Sequence, residues 1–195
     1  MSKYQSVDLM KGPTLKKFLR LVESSATEIR SAIGIGDTEP FSPREYAEQL
    51  KLVIASTDSL SDEHLTQLSQ LDVKQWSGMS RALPNGRLFV LLNPRQTAER
   101  EAVTIMEEFA HHYYDHSPVS FGALSKRIYD QANEDEAYQT AAAILLPMKV
   151  ISCGIWRQRS AVDIARRYGV SVELVEMRIK LLNLWTLYKQ QERPE

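Results

Sequence analysis

The sequence predicts an α+β protein, mostly helical, with one short antiparallel sheet. Three observations carry this reading. Apolar residues recur at three- and four-residue intervals along most of the chain, the spacing of helices that bury one face. Between Trp76 and Asn93 that spacing gives way to two short β-type runs around Pro84-Asn85-Gly86, whose Asn-Gly pair suits a hairpin turn. Beyond Pro147 the helical spacing returns over 160–180 as two pieces separated by Gly169.

In chain order, Leu15, Phe18, Leu19, Val22, Ile29 and Ile33 form the apolar stripe of a first helix, ended by Gly34-Ile35-Gly36. Ser42 as N-cap and Pro43 at the first helical position predict a second helix through Tyr46, Ala47 and Leu50. Leu52-Val53-Ile54 reads as a short strand. Ser61 or Asp62 then caps a helix carrying Leu65, Leu68 and Leu71, with His64 on its surface. The hairpin leads through Asn93-Pro94 into a helix over Glu101–His116, and Asn133–Pro147 reads as another helix, with small residues at 137, 141 and 142 that permit close packing. The chain divides into a helical lead-in (1–39), a central unit (40–147) and a C-terminal segment (148–195).

With 195 residues and 43% hydrophobic content, the chain can bury one proper core. It has no apolar run of the ~18 residues that span a bilayer and no signal-peptide pattern, so a cytoplasmic location without a membrane partner is expected. The single Cys153 agrees, and it reads as structural. The net charge of −1 excludes no partner, but it is uneven. Residues 1–148 hold 15 Lys and Arg against 20 Asp and Glu, whereas 149–195 hold 9 against 5.

Ligand-type side chains concentrate in Glu101–His116, which contains three of the four histidines. Glu107 and His111 are four residues apart, so both project from one helix face, as two ligands of one metal ion must. The run Glu107-Glu108-Phe109-Ala110-His111 parallels H-E-x-x-H, the zinc-peptidase helix, with Glu in place of the first histidine. A carboxylate is a legitimate zinc ligand, and Glu108 lies where it can take a proton from a metal-bound water. His112 with His116, or His111 with Asp115, are alternative pairs on other faces.

The downstream helix adds further carboxylates at Glu134 and Glu136. Together with the hairpin and motif helix, its spacing of Glu134, Ala137, Ala141, Leu145 or Leu146 and Pro147 resembles the ImmA/IrrE family of metallopeptidase-like proteins over residues 40–147, with Thr140 where that family has an aromatic. The resemblance implies a zincin-like fold, with Glu108 as general base and Glu107, His111 and Glu134 holding Zn2+. Glu136 is the rival of Glu134, and a harder ion such as manganese is the rival of zinc. It further implies limited proteolysis of a regulatory protein, typically a helix-turn-helix repressor.

The C-terminal segment has helix-turn-helix spacing, with Ile164-Ala165 in a first helix, Gly169 at the turn and Ser171 capping a second. Arg166, Arg167, Arg178 and Lys180 are its candidate nucleic-acid contacts, opposed by Glu173 and Glu176. A DNA partner is therefore open beside a protein one. A non-catalytic regulator that binds a protein, and through this segment DNA, is the alternative to a peptidase.

Overall fold

The computed structural model describes residues 12–56, 77–117, 120–121, 127–128 and 130–191. The expected helix after Ser61, with His64, lies outside the described residues.

Helix α1 (Pro13–Ala32) opens with Pro at its first position and buries Val22, Ser25, Ala26, Ile29 and Arg30 on one face. Gly34 then takes φ 77, the left-handed conformation that stops the helix. Arg30 donates to Gly36 O and Glu39 O, at 2.6 Å each, and to Ile144 O at 2.8 Å. One buried cation thus fastens the loop after α1 to a distant helix end.

The helix expected from Ser42 is a run of turns instead. Bonds of i→i+4 type, such as Tyr46 N–H to Ser42 O, alternate with i→i+3 bonds such as Ala47 N–H to Arg44 O, so no continuous α ladder forms. Lys51 at φ 55 closes the run directly before β1 (Leu52–Ser56).

Strands β2 (Gly78–Ala82) and β3 (Leu88–Leu92) form the expected hairpin, with Gly86 at φ 76 in its turn. The sheet itself is mixed, a correction to the antiparallel expectation. Its order is β1-β3-β2, and β1 runs parallel to β3 from Leu52↔Leu88 to Ser56↔Leu92. Because β3 is flanked on both edges and covered by helices, its sequence Leu-Phe-Val-Leu-Leu is apolar throughout rather than alternating. A two-stranded ladder, β4 (Ser120–Phe121) with β5 (Arg127–Ile128), follows further along the chain.

Helix α2 (Ala98–Tyr113) carries the motif and begins at Thr97, whose side chain accepts from Arg100 N–H. Helix α3 (Gln131–Leu145) begins at Asp130, which accepts from Asn133 N–H. Ala137, Ala141, Ala142 and Ala143 of α3 are all fully buried, so α1 and α2 both approach its backbone closely, as the small residues predicted. Pro147 ends α3 and also caps the unanticipated α4 (Met148–Trp156), whose Val150, Ile151, Gly154 and Ile155 face inward. Helices α5 (Ala161–Tyr168), α6 (Val172–Leu181) and α7 (Trp185–Gln191) complete the chain. One buried cluster runs from Val22 to Tyr188, so all three sequence segments contribute to the same core.

Candidate active site

The site is built where α2 and α3 cross. On α2, Glu107 and His111 are both buried, and both lie on the face turned from solvent that their spacing requires. Glu108, one position on, is half-buried at the edge of that face and accepts a hydrogen bond of 2.5 Å from Ser80 Oγ of β2. On α3, Glu134 and Glu136 point in different directions, as residues two apart on a helix must. Glu134 Oε1 lies 3.7 Å from His111 Nε2, while Glu136 Oε2 lies 3.1 Å from His116 Nε2. The two rival carboxylates thus take different partners, and Glu134 is the one that meets His111.

His116 is the residue whose position the sequence did not disclose. At uninterrupted helical spacing it would stand on another face from His111. The helix ends at Tyr113, however, with Tyr114 as its cap, and Asp115 turns back at φ 53 with His116 N–H on His111 O, 2.9 Å away. This returns the His116 ring to the motif, with His116 Nδ1 3.0 Å from His111 Nδ1 and its face stacked on Tyr114. Tyr114 in turn reaches Thr140 of α3 at 3.0 Å. The signal available in sequence was Asp115, one of the residue types that tolerate the left-handed region. His112 is exposed and joins no part of this arrangement.

With Glu136 ionised and both imidazoles neutral, the relay has one consistent proton assignment. Ionised Glu136 accepts from His116 Nε2–H, which makes His116 Nδ1 an acceptor and His111 Nδ1–H its donor. His111 then turns the lone pair of Nε2 toward the Glu134 carboxylate. His111 Nε2 and Glu134 Oε1 stand 3.7 Å apart, too far for a direct hydrogen bond but close enough for both to reach one cation. Ligands of one tetrahedral zinc ion at ~2.0–2.1 Å stand about 3.3 Å apart, so this pair fits two corners of such a site after a small closure. The hydrogen bond on Nδ1 is the outer support that metal-binding histidines commonly have. Among the described residues, no group of three or more His, Cys, Asp or Glu side chains stands close enough to hold an ion.

The model of the peptidase M78 family, described as the IrrE N-terminal-like domain, matches residues 62–180, well over half of the chain. The chain belongs to the IrrE N-terminal-like family. The resemblance to ImmA/IrrE proteins is borne out, and the match extends past Pro147 into the basic C-terminal segment of the IrrE-like chain. The family is typically metal-dependent. No curated protein matches. A solved structure, a Mycobacterium tuberculosis transcriptional regulator, is similar in fold with a TM-score of 0.56 at 14% identity, covering 85% of this chain. The IrrE-like chain spans 50% of that structure's length.

The C-terminal candidates separate on exposure. Helices α5 and α6 meet at Gly169 (φ 63), and Ser171 accepts from Leu174 N–H as the spacing predicted. Arg166, Arg167 and Lys180 reach solvent, Lys180 lying 4.6 Å over the Trp185 ring. Arg178 does not, which corrects its assignment as a nucleic-acid contact. It is fully buried, pairs with Glu23 of α1 and donates from Nε to Leu146 O at 3.2 Å. Its charge serves the core, not phosphate.

Proposed function

We propose that this IrrE-like protein is a metal-dependent endopeptidase of regulatory type, acting by limited proteolysis on a repressor-like protein. The observation that carries the proposal is the facing pair of His111 Nε2 and Glu134 Oε1, oriented by the His116–Glu136 relay. In this reading His111, Glu134 and Glu107 would hold the ion, and the three would have to draw closer together to do so, because they do not converge among the described residues. Zinc, when bound, lowers the pKa of its water and polarises the scissile carbonyl. Glu108 accepts the water proton and returns it to the leaving amine. The Ser80 hydroxyl donates to Glu108 Oε2 and so orients the carboxylate for that transfer. β2, which carries Ser80, ends the strand order of the described sheet, so a peptide pairing with its backbone would pass beside Glu108.

The test is elemental analysis of untagged protein beside His111→Ala and Glu134→Ala, followed by Glu108→Gln in the biological assay. About one zinc per chain, lost in both ligand variants, with Glu108→Gln folded, partner-binding and without effect on the target, is the expected result. A second reading, the non-catalytic regulator, is favoured by Glu107. A second carboxylate, buried where the peptidase motif has histidine, adds negative charge to the donor set. Under that reading the protein acts by holding a partner, with DNA contacts through Arg166, Arg167 and Lys180. Glu108→Gln then keeps the full biological effect, and removing Arg166 and Arg167 weakens DNA binding and flattens its salt dependence.

A further inference from the structure

A recess lies away from the α2–α3 crossing, between α4 and α5. It has a volume of about 260 Å³, and Lys149, Arg157, Arg159 and Arg167 all border it, with Val150 and Ile164 as its apolar floor. Among the described residues no carboxylate lines it. We infer that this recess is a binding site for a small phosphate-bearing ligand, of the size of a sugar phosphate.

The backbone explains how these cations come to share one cavity. Gly154 of α4 faces Ile164 of α5, where a Cβ would stand 2.7 Å from Ile164 Cδ1, so the missing side chain lets the two helices close together. Gln158 then takes φ 53, and Arg159 N–H bonds Gly154 O at 3.0 Å. This turn sets Arg157 and Arg159 at the end of α4 opposite Arg167 on α5. Arg167 lies 6.0 Å over the Tyr168 ring, and the Tyr168 hydroxyl is committed to Thr38 O at 2.8 Å.

Two carboxylates stand at the margin. Asp37 pairs with Lys149 at 3.1 Å, and Asp163 is held anionic first by Ser160 and to a smaller extent by Arg166 and Arg159. The remaining positive charge is mainly guanidinium, whose planar fork suits a tetrahedral oxyanion better than an ammonium does. The volume is below the usual range for drug-sized ligands, and it fits a phosphate with one small ring. A phosphate of DNA is the other source of the same chemistry, but a concave recess favours a free ligand over a duplex backbone.

Cys153 provides the readout, because it lines the recess, is partly exposed and is the single cysteine of the chain. The full-length protein is alkylated with neutral iodoacetamide and followed by intact mass. The additions are inorganic phosphate, ribose 5-phosphate, ribose or a 20-base-pair duplex. Ribose 5-phosphate is expected to slow alkylation about tenfold, with ribose inert. The doubly substituted Arg157→Ser/Arg167→Ser protein, altered at two exposed positions, should lose the protection while keeping its melting temperature and its unprotected rate. No protection by either phosphate compound overturns the inference, as does protection that survives in the double variant. Protection by the duplex alone moves the phosphate to nucleic acid and equally overturns a small-ligand site. The comparison of ribose 5-phosphate with ribose on the unaltered protein decides the matter even if the variant is misfolded. None of these measurements involves zinc or Glu108, so the outcome is independent of the peptidase reading.

Discussion

The relay behind His111 allows a prediction with two separate readouts. His116→Ala removes the partner of His111 Nδ1, the partner of Glu136 and a ring stacked on Tyr114. The His111 side chain is only 5% exposed, so water does not readily replace the lost bond. Leaving such a buried polar atom without its partner costs about 1–3 kcal/mol, so the metal-free variant should melt several degrees lower, at roughly 2–4 °C per kcal/mol for a chain of this size. The second readout is zinc affinity, measured by competition with a chromophoric chelator. Losing the group that fixes a ligand histidine's tautomer typically weakens metal binding about 10–100-fold. Glu136→Gln is the control, because its amide oxygen still accepts from His116 Nε2–H and should leave affinity within about threefold. If His116→Ala binds zinc as tightly as the unaltered protein, the relay does not orient a ligand. If its stability is also unchanged, the hydrogen bond itself contributes nothing.

Three further outcomes follow from the packing. Arg178→Ala removes the cationic partner of the Glu23 carboxylate, which keeps only Met148 N–H, and the donor to Leu146 O; it should cost about 3–5 kcal/mol, a loss of roughly 6–20 °C in melting temperature, and a near-normal melt would contradict the buried pairing. Gly78→Ala places a Cβ 2.5 Å from Thr104 Cγ2 and 3.2 Å from Leu91 O, and chemical denaturation should register about 1–3 kcal/mol of overpacking between β2 and α2. Asp163 is held below its ordinary 3.8 chiefly by the Ser160 hydroxyl, so its contribution to stability is fully present above that value and is lost as pH falls through the lower folded one. A carboxyl NMR titration should place its midpoint below 3.8 and show Ser160→Ala returning it upward, whereas an unshifted midpoint would remove the cause assigned to it.

The elements of this fold that were legible in sequence are those set by local rules. Apolar spacing gave the motif helix and its partner, Pro84-Asn85-Gly86 gave the hairpin, and Ser160, Gly169 and Ser171 delimited the two short C-terminal helices. Features decided by distant partners were not legible. The parallel sense of β1 depends on which edge of β3 it joins, and the burial of Arg178 depends on Glu23, 155 residues away. The stretch after Ser42 carries sound helix-start signals yet forms turns, because β1 begins before a continuous ladder can be established. At the site, helical spacing placed Glu107, Glu108 and His111 on α2 but missed His116. That ring reaches His111 only because Asp115 leaves the helix in the left-handed conformation.

The same long-range contacts explain why the site has a defined geometry at all. Glu134 belongs to the first turn of α3, and its distance to His111 is set by how closely α3 approaches α2. That approach depends on Ala137 and Ala141, which offer almost no side-chain bulk between the helices. The far end of α3 is held separately, by Arg30 on Ile144 O and by Arg178 on Leu146 O. Each of those arginines comes from a segment outside the central unit that the sequence suggested, one from the lead-in and one from the C-terminal helices. A centre made of one helix pair is therefore braced by both ends of the chain. The C-terminal segment is thus part of what fixes Glu134 opposite His111, whatever it binds on its outer face.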